Sequence, residues 1–341
     1  MTRRPVVISA PEPRTLEMIF APEPLRRFRT AYEVIDCAPE AIGDLPAPLL
    51  ASARYIVGQP PLSGDLLERM QGLRCIFNVE GNFLNNMPYD GLFRRGVHVV
   101  TTSAVFAEPV AEMGLAMALN LARGVIGADN DFRAGREVWG LDGNGSARLL
   151  SGAEIGFIGF GDLGRALNRL LTGFRPRVRI YDPWLPAPVL RAQGGEPASL
   201  DDVLAQSDVV FVVASVTSEN QGFLDAAAFA RMRRGAAFIL LSRAGVVNFD
   251  DLVAAVAAGH IVAASDVFPE EPLAADHPVR GIEGFLRSAH RAGALDVAFK
   301  RMGDMVLEDM SLIDRGLPPV LCRRAERETV EMMRSKPVAK S

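Results

Sequence analysis

The architecture of this chain follows from one segment, Glu-Ile-Gly-Phe-Ile-Gly-Phe-Gly-Asp-Leu-Gly-Arg (residues 154–165), which leads on to Val-Arg-Ile-Tyr-Asp (residues 178–182). The apolar run Ile155–Ile158 predicts a buried strand, and the glycines after it predict a tight turn that opens a helix. Leucines at helical spacing follow, and Val178–Tyr181 predicts a second short strand. This order is typical of two parallel strands joined by a helix.

Each glycine of the turn has a physical reason. Gly159 suits a tight turn, Gly161 lets the backbone approach a pyrophosphate, and Gly164 allows close helix packing. The N–H groups at the start of the helix would then meet the phosphates. An ordinary glycine turn without a ligand is the alternative.

Asp182 follows the third glycine by roughly twenty residues, the spacing of an acid that accepts from the adenosine ribose hydroxyls. Its charge would repel a 2′-phosphate, so the cofactor is predicted to be NAD and not NADP. The predicted contacts from this segment are Gly159, Phe160, Gly161, Asp162, Leu163, Gly164, Asp182 and Pro183.

Length and composition set broad limits on function. A chain of 341 residues suits two domains, and 49% hydrophobic residues suffice for their cores. The net charge of −4, with both signs mixed, favours neither a nucleic-acid surface nor a membrane surface. Cys37, Cys75 and Cys322 lack metal spacing and fit free thiols in a reducing compartment. No signal peptide is visible and no stretch approaches about 20 apolar residues, so we expect a soluble, cytoplasmic protein without a metal.

The first hundred residues alternate short apolar runs with polar helical ones. The predicted strands are Val6–Ser9, Glu33–Cys37, Tyr55–Val57, Arg74–Phe77 and His98–Thr101, and the predicted helices are Ser63–Met70 and Tyr89–Arg95. The proline-rich segments Pro11–Pro13, Pro22–Pro24 and Pro46–Pro48 are expected to form surface turns.

The same alternation continues around and beyond the glycine turn. The predicted strands are Val209–Val213, Ala237–Leu241, Ile261–Ala264 and Gly284–Ser288, and the predicted helices are Phe106–Arg123, Leu200–Gln206, Asp225–Met232, Phe249–Ala258 and Leu295–Ile313. Residues 127–148 are expected to form a polar connection, and the tail after Pro318 is expected to be loosely ordered.

Strands that alternate with helices predict an α/β protein with parallel sheets covered on both faces. We predict two Rossmann-like, doubly wound domains. The NAD-binding domain, residues 103–293, is inserted into a discontinuous, flavodoxin-like substrate domain made of residues 1–102 and 294–341.

Three residues suited to carbonyl chemistry follow predicted strands, where doubly wound sheets bind ligands: Arg243, Glu271 and His290. Hydride transfer to a carbonyl needs a proton donor, and histidine is the usual one because it titrates near neutrality. Glu271 would orient the imidazole and favour its charged form. Arg243 offers two parallel donors for a substrate carboxylate. A structural histidine, a salt-bridge arginine and a plain loop acid are the alternatives.

Further segments have a recognisable order and spacing. They are Gly-Val-His-Val-Val-Thr-Thr-Ser (96–103), Val-Ala-Glu-Met-Gly-Leu-Ala-Met (110–117), Ser-Asp-Val-Val (207–210), Thr-Ser-Glu-Asn-Gln-Gly (217–222), Ser-Arg-Ala-Gly (242–245), Asp-Val-Phe-Pro-Glu-Glu-Pro-Leu (266–273) and Ala-His-Arg-Ala-Gly (289–293). Together with the glycine turn, the sequence resembles the D-2-hydroxyacid dehydrogenases over about residues 70–310.

The resemblance implies an Arg, Glu and His set at Arg243, Glu271 and His290. It also implies that Asp266 holds the nicotinamide carboxamide, and that the cofactor is lined by Val213, Ala214, Ser215, Leu241, Ser242 and Gly293. Members of the family are dimers joined largely through their nucleotide domains, so helix 106–123 is an interface candidate in an expected homodimer.

The loop Asn78-Val79-Glu80-Gly81 departs from the family pattern, which usually reads Gly-Val-Gly-x-Asp and grips the substrate carboxylate with its backbone N–H groups. We expect the loop and Arg243 to bind a 2-oxo or 2-hydroxy acid beside His290. Glu80 is adverse to a carboxylate, so it either turns to solvent or selects a polar or cationic substrate tail. Arg291 after His290 would either bind a second acidic group or form a surface salt bridge.

The predicted function is therefore the NAD-dependent interconversion of a 2-oxo acid and a D-2-hydroxy acid. One alternative is a dehydrogenase of a small oxyanion such as formate or phosphite, against which Glu80 argues. Another is a non-catalytic NAD(H)-sensing protein similar to the corepressors of this family.

Overall fold

The computed structural model describes residues 4–334. Within them the strands are β1 (Val6–Ser9), β2 (Glu33–Asp36), β3 (Ala53–Val57), β4 (Cys75–Asn78), β5 (His98–Thr101), β6 (Glu154–Ile158), β7 (Arg177–Tyr181), β8 (Glu196–Pro197), β9 (Val209–Val212), β10 (Ala237–Leu240), β11 (Val262–Ser265), β12 (Phe285–Arg287) and β13 (Arg323–Arg324). The α-helices are α1 (Leu16–Ile19), α2 (Pro22–Ala31), α3 (Ala47–Ser52), α4 (Gly64–Arg69), α5 (Tyr89–Arg94), α6 (Ala107–Arg123), α7 (Val125–Arg133), α8 (Asp162–Leu171), α9 (Ala187–Ala192), α10 (Leu200–Gln206), α11 (Ala226–Arg231), α12 (Phe249–Ala257) and α13 (Asp296–Asp314).

The chain divides into two compact units. The first comprises the described parts of Met1–Phe106, Thr217–Glu219 and Ala294–Ser341, and the second comprises Ala107–Val216 and Asn220–Gly293. Each unit has its own sheet and its own hydrophobic core.

The first unit contains a six-stranded sheet in the order β13-β5-β4-β3-β1-β2, in which β1 to β5 are parallel and β13 is antiparallel. Side chains alternate across a strand, and both faces of β3 are buried: Tyr55 and Val57 join one apolar cluster, and Ile56 joins another. Strands covered on both faces are near-continuously apolar, which is why the sequence runs were visible.

The second unit contains a seven-stranded parallel sheet in the order β12-β11-β10-β9-β6-β7-β8. At its centre Phe157 of β6 and Phe211 of β9 are fully buried and stacked, with ring centroids 5.5 Å apart. The two sheets, with helices between successive strands, confirm the predicted α/β fold class with two parallel-sheet domains.

Two proline-rich segments begin helices, so our expectation of surface turns at Pro22–Pro24 and Pro46–Pro48 is wrong. Helix α2 begins at Pro22, and Pro46 immediately precedes α3. Proline is well suited to a helix start because the first N–H groups have no partner within the helix and its φ is already close to helical. Pro11–Pro13 does lie in a turn.

The expected polar connection at 127–148 is partly helical, because α7 covers Val125–Arg133. None of the residues of α7 is buried, so its sequence has no core-facing stripe that would have predicted the helix. Arg133 and Asp129 form an i,i+4 ion pair on its surface, with 2.7 Å between Nε and Oδ2.

The tail after Pro318 is also ordered as far as residue 334, contrary to our expectation. The buried carboxylate of Asp309 on α13 accepts hydrogen bonds from the N–H groups of Val320, Leu321 and Cys322. Strand β13 then pairs with β5, and Val330 is buried in the core of the first unit. Residues 335–341 lie outside the described part of the chain.

One helical segment, Ser103–Arg123, is long and apolar enough to cross a membrane by length and composition. This corrects our expectation that no stretch approaches that length. A single such helix is weak evidence, because core helices pass the same test, and within the second unit Val110, Gly114 and Met117 of this helix are buried.

Candidate active site

The predicted site residues of the second unit follow the carboxyl ends of parallel strands of one sheet. The strands in question are β6, β9, β10, β11 and β12. The first four are followed directly by Gly159, Val213–Ser215, Leu241–Arg243 and Asp266, respectively, and His290 follows β12 after two residues. Because parallel strands end at the same edge, the structure brings the glycine turn, Arg243 and His290 to one edge of the sheet.

The glycine turn has the geometry that a dinucleotide phosphate needs. Gly159 has a φ of +84°, and a Cβ there would lie 2.6 Å from the Cα of Ala214, so only glycine fits. Gly161 is the N-cap residue of α8 and has no side chain with which to cap the first N–H groups of that helix. These N–H groups and the positive end of the helix dipole can bind an anion.

Asp182 lies at the end of β7 and holds the turn from the other side. Its Oδ2 accepts from the N–H of Phe160 at 2.8 Å, and its Oδ1 accepts from the N–H groups of Trp184 and Leu185 at 2.9 and 3.2 Å. A carboxylate offers about four acceptor positions, so these bonds leave room for a ribose hydroxyl. The ordering of the turn by Asp182 is a contribution that its sequence spacing does not reveal.

Two polar atoms beside the turn and at the end of β10 suit a polar, anionic ligand. Within the described residues, Arg165 Nε and Ser242 Oγ are buried without a hydrogen-bond partner. Buried polar groups are normally paired, so an unpaired one suggests a partner that binds later. Together with the N–H groups at the start of α8, these two atoms fit the phosphates and the amide of NAD. Our sequence reasoning did not assign Arg165, although it directly follows the third glycine.

His290 and Glu271 form a direct pair, with 2.6 Å between Nδ1 and Oε2. Their side chains are 36% and 35% exposed, so a small molecule can reach the imidazole. The other carboxylate oxygen of Glu271 accepts from the N–H of Phe268 at 2.9 Å. Nδ1 is therefore held by the carboxylate, and Nε2 is the nitrogen left to exchange a proton with a ligand.

Burial alone would raise the pKa of Glu271, but its partners reverse that effect. The hydrogen bonds from His290 and from the backbone of Phe268, with the charges of His290 and Arg243, lower the pKa of this carboxyl below its ordinary value. Glu271 is thus an anion at neutral pH, the state in which it favours a protonated imidazole.

Arg243 is a strongly desolvated cation near the same carboxylate. Burial lowers the pKa of its guanidinium, and the charge of Glu271 acts in the opposite direction. Its Nη1 donates to the carbonyl of Ser242 at 2.7 Å. Because an arginine stays charged at any physiological pH, a buried guanidinium beside the His290–Glu271 pair is suited to bind an anion.

Asp266 fixes the backbone conformation around His290 by hydrogen bonds. This residue is 2% exposed, and its carboxylate accepts from the N–H groups of Arg291 and Ala292 at 3.0 and 3.1 Å. The N–H of His290 donates to the carbonyl of Asp266 at 2.7 Å, and His290 has a φ of +48°. A non-glycine residue in the left-handed region is uncommon, so the bonds to Asp266 maintain an unusual orientation of the histidine.

In the first unit, the loop that follows β4 is rigid. Asn78 is fully buried; its Oδ1 accepts from the N–H of Glu80, and its Nδ2 donates to the carbonyl of Asn82, both at 2.7 Å, and also to Gln59 Oε1. Gly81 has a φ of +113°, which only glycine adopts readily. Because the side chains of Asn78 and Val79 are buried, this loop can offer a ligand mainly its backbone and Glu80.

A residue that the sequence reasoning missed, Arg14, lies against this loop. Its Nη1 donates to the carbonyl of Val79 at 2.6 Å, and its guanidinium carbon lies 4.9 Å from the ring centre of Phe299 and 5.9 Å from that of Phe106. The charge of Glu80 acts on Arg14. The position of Arg14 shortly after β1, at the carboxyl edge of a parallel sheet, is the signal that could have identified it.

Comparison with known proteins gives a consistent family. The family model described as D-isomer specific 2-hydroxyacid dehydrogenase, NAD binding domain, matches residues 115–292. The solved structure of a phosphoglycerate oxidoreductase from Rhizobium etli has 64% sequence identity and a TM-score of 0.88, and the match covers 96% of this chain and 100% of that one.

Two curated relatives are more distant. The glyoxylate reductase of Korarchaeum cryptofilum is 29% identical over 266 residues, which cover 76% of this chain and 79% of the relative. The D-3-phosphoglycerate dehydrogenase of Mycobacterium leprae is 32% identical over 264 residues, which cover 77% of this chain but 49% of the relative.

Proposed function

The chain belongs to the D-isomer specific 2-hydroxyacid dehydrogenase family and is an NAD-dependent oxidoreductase, and on that premise we propose that it interconverts a 2-oxo acid and a D-2-hydroxy acid with His290 as the acid and base. The observation that carries this proposal is the 2.6 Å contact between His290 and Glu271 at the carboxyl edge of the second sheet. We assign the NAD-binding domain to residues 103–293, and the substrate domain to residues 1–102 with 294–341.

His290 moves one proton at the substrate oxygen on C2. In reduction, imidazolium Nε2 donates its proton to the oxygen as negative charge develops there; in oxidation, neutral Nε2 accepts the hydroxyl proton. Glu271 keeps Nδ1 protonated and stabilises the imidazolium. Bound NAD supplies the hydride acceptor, and NADH the hydride donor.

Arg243 binds the substrate carboxylate. A guanidinium donates two parallel N–H groups to a carboxylate, and such charge-assisted bonds are about twice as strong as neutral ones. Desolvation strengthens this attraction, since the same charges interact more strongly away from water. We assign the 78–81 loop to substrate binding as well, through backbone N–H groups other than that of Glu80, which already donates to Asn78 Oδ1. The cofactor contacts are those predicted, namely the glycine turn, Asp182, Pro183, Val213–Ser215, Leu241, Ser242, Asp266 and Gly293, with Arg165 added.

The substrate we propose is a phosphorylated 2-hydroxy acid of the phosphoglycerate kind. The support is the name of the Rhizobium etli protein, a phosphoglycerate oxidoreductase, which is 64% identical and matches over its full length. A second relative, the Mycobacterium leprae D-3-phosphoglycerate dehydrogenase, points to the same substrate class, although the chain spans about half of its length.

We propose a homodimer formed through the second unit. Its 125–149 segment exposes an unusual number of large apolar side chains for a surface, and such patches mark protein–protein contacts. They are Val125, Ile126, Phe132, Val138, Trp139, Leu141 and Leu149. Light scattering of the purified protein should give twice the chain mass of 36.8 kDa, and Trp139→Glu should shift it toward one chain mass.

Turnover with a panel of 2-oxo acids tests the proposed reaction. We expect NADH to be oxidised with 3-phosphohydroxypyruvate, the 2-oxo form of 3-phosphoglycerate, and more weakly with glyoxylate. Chiral chromatography should show that 3-phosphohydroxypyruvate is reduced to the D isomer of 3-phosphoglycerate. A protein that binds NADH, as seen by fluorescence, but oxidises it with no 2-oxo acid would be a sensor. Turnover confined to formate or phosphite with NAD would establish the small-oxyanion alternative.

A further inference from the structure

We propose that Arg14 binds the distal anionic group of the substrate, a phosphate or a second carboxylate, at the far end from the 2-oxo acid. This inference rests on the proposed function, because it concerns the specificity of the same reaction. It begins from the position of Arg14 after β1, in contact with the loop assigned to substrate binding.

The side chain of Arg14 is fixed in place before any ligand binds. Its guanidinium carbon lies 4.9 Å from the ring centre of Phe299, a distance at which a cation and an aromatic ring attract each other. Its backbone N–H closes a turn onto the carbonyl of Pro11 at 3.1 Å. A preordered arginine loses less entropy when it binds a ligand, which is the usual property of a specificity residue.

Arg14 keeps donors for a ligand. A guanidinium has five N–H groups, and within residues 4–334 its hydrogen bond to the protein is the one from Nη1 to Val79. The planar fork of donors matches two oxygens of a phosphate or a carboxylate. Burying a guanidinium costs free energy, and burial does lower the pKa of Arg14, so the position needs a compensating role.

Glu80 offers a competing explanation for Arg14. Its negative charge acts on the guanidinium, so Arg14 would make an acidic loop tolerable for an anionic substrate even without touching that substrate. The two roles predict different behaviour. Charge balance affects every anionic substrate alike, whereas a contact with a distal group affects only substrates that have one.

Substrates with and without a distal anion therefore test the proposal in Arg14→Gln. With 3-phosphohydroxypyruvate and 2-oxoglutarate as probes, we expect KM to rise roughly ten- to a hundred-fold for the probe whose distal group Arg14 binds, as for the loss of a charge-assisted hydrogen bond. With glyoxylate, which has no distal group, the loss in kcat/KM should be at least about tenfold smaller than on the sensitive probe, and it should reflect only the lost hydrogen bond to Val79. The probe with the larger loss identifies the group as phosphate or carboxylate, and either result supports the proposal.

Three further variants complete the test. Arg14→Lys keeps the charge without the fork and should lose about threefold to tenfold on the sensitive probe. Arg27→Gln, an exposed arginine of α2 in the same unit, should change nothing. In Arg14→Gln/Glu80→Gln, the loss on the sensitive probe should persist; full recovery there, or an equal loss on glyoxylate in Arg14→Gln, would mean that Arg14 only balances Glu80 and would overturn the proposal.

The outcome also separates this inference from the proposed function. A wild type that reduces no 2-oxo acid defeats the proposed reaction itself. A wild type that reduces glyoxylate but neither doubly anionic probe leaves the reaction standing and defeats the role of Arg14. Circular dichroism and thermal unfolding of each variant identify a fold defect. If Arg14→Gln fails to fold, the KM values of Arg14→Lys for the same probes test the proposal instead, because that variant keeps a cation over Phe299.

Discussion

In each of the two units the charge of a glutamate acts on a basic side chain, and the two pairs differ in what the basic side chain can do. In the second unit, Glu271 faces His290, whose imidazole ring can both donate and accept a proton. In the first unit, Glu80 acts on Arg14, a partner that stays charged. The first arrangement can transfer a proton, and the second can only present a fixed charge.

The surroundings of the pairs match this difference. Each side chain of the His290–Glu271 pair is about one-third exposed, and Asp266 holds the backbone of the histidine. Arg14 lies over two aromatic rings and donates to the carbonyl of Val79. We infer that one pair serves proton transfer and the other substrate recognition, and variants of each pair test that distinction.

The largest effect is expected from His290→Ala. Loss of a general acid and base typically costs 10²- to 10⁴-fold, so kcat with the best 2-oxo acid should fall by about 10³-fold. NADH binding, followed by fluorescence, should persist because the glycine turn is unchanged. Stopped-flow and steady-state assays at saturating substrate measure the loss.

His260→Ala is the matched control for His290→Ala. His260 lies in the second unit too, but it precedes β11 and so stands at the amino end of the strand, away from the carboxyl edge. Its ring Nε2 lies 3.2 Å from the carbonyl of Phe229. We expect nearly full activity from this variant; near-normal turnover by His290→Ala instead would refute the acid and base role.

A smaller effect is expected from Glu271→Gln, about tenfold on kcat, because the imidazole remains but loses its charged partner. In the proposed reaction His290 donates a proton during reduction, and a neighbouring carboxylate favours the protonated imidazole. Removing that charge should therefore slow the reduction and leave NADH binding unchanged. The measurements are kcat for 2-oxo acid reduction at saturating substrate and NADH binding by fluorescence.

Glu80→Gln tests the other glutamate. Glu80 acts on an arginine that stays charged, so the variant should change KM and leave kcat within about twofold of the wild type. If Glu80→Gln lowered kcat as far as Glu271→Gln does, the distinction between a proton-transfer pair and a recognition pair would fail.

The parts of the molecule that could be predicted are those encoded locally. Buried parallel strands are short apolar runs, and the runs at Val6–Ser9 and His98–Thr101 match their strands residue for residue. The glycine turn is readable because its requirements concern backbone conformation at adjacent positions, as at Gly159. The placement of Arg243 and His290 at one edge followed from the rule that parallel strands end together.

The parts that could not be predicted depend on contacts between distant residues. Arg14 donates to the carbonyl of Val79, which is 65 positions away, and the sequence around Arg14 does not predict that contact. The tail is ordered because Asp309, which reads as one more polar helix residue, binds three of its N–H groups. Asp182 was predicted from spacing, but its bonds to the turn were visible only in three dimensions.

The smallest effect is expected in the stability of Glu271→Gln. The pKa of Glu271 is lowered in the folded protein, because the bonds from His290 and Phe268 and the nearby charges outweigh burial. A carboxyl group whose pKa is lower in the folded protein contributes its full stabilisation above its ordinary pKa and loses it as the pH falls through the folded-state value.

Solvent screens the charge of Glu271, which is one-third exposed, so Glu271→Gln should unfold only a few degrees below wild type at neutral pH. Thermal unfolding of both proteins should show that gap closing as the pH falls below about 4. A gap that is constant with pH would mean that the glutamate stabilises by packing and not by its charge.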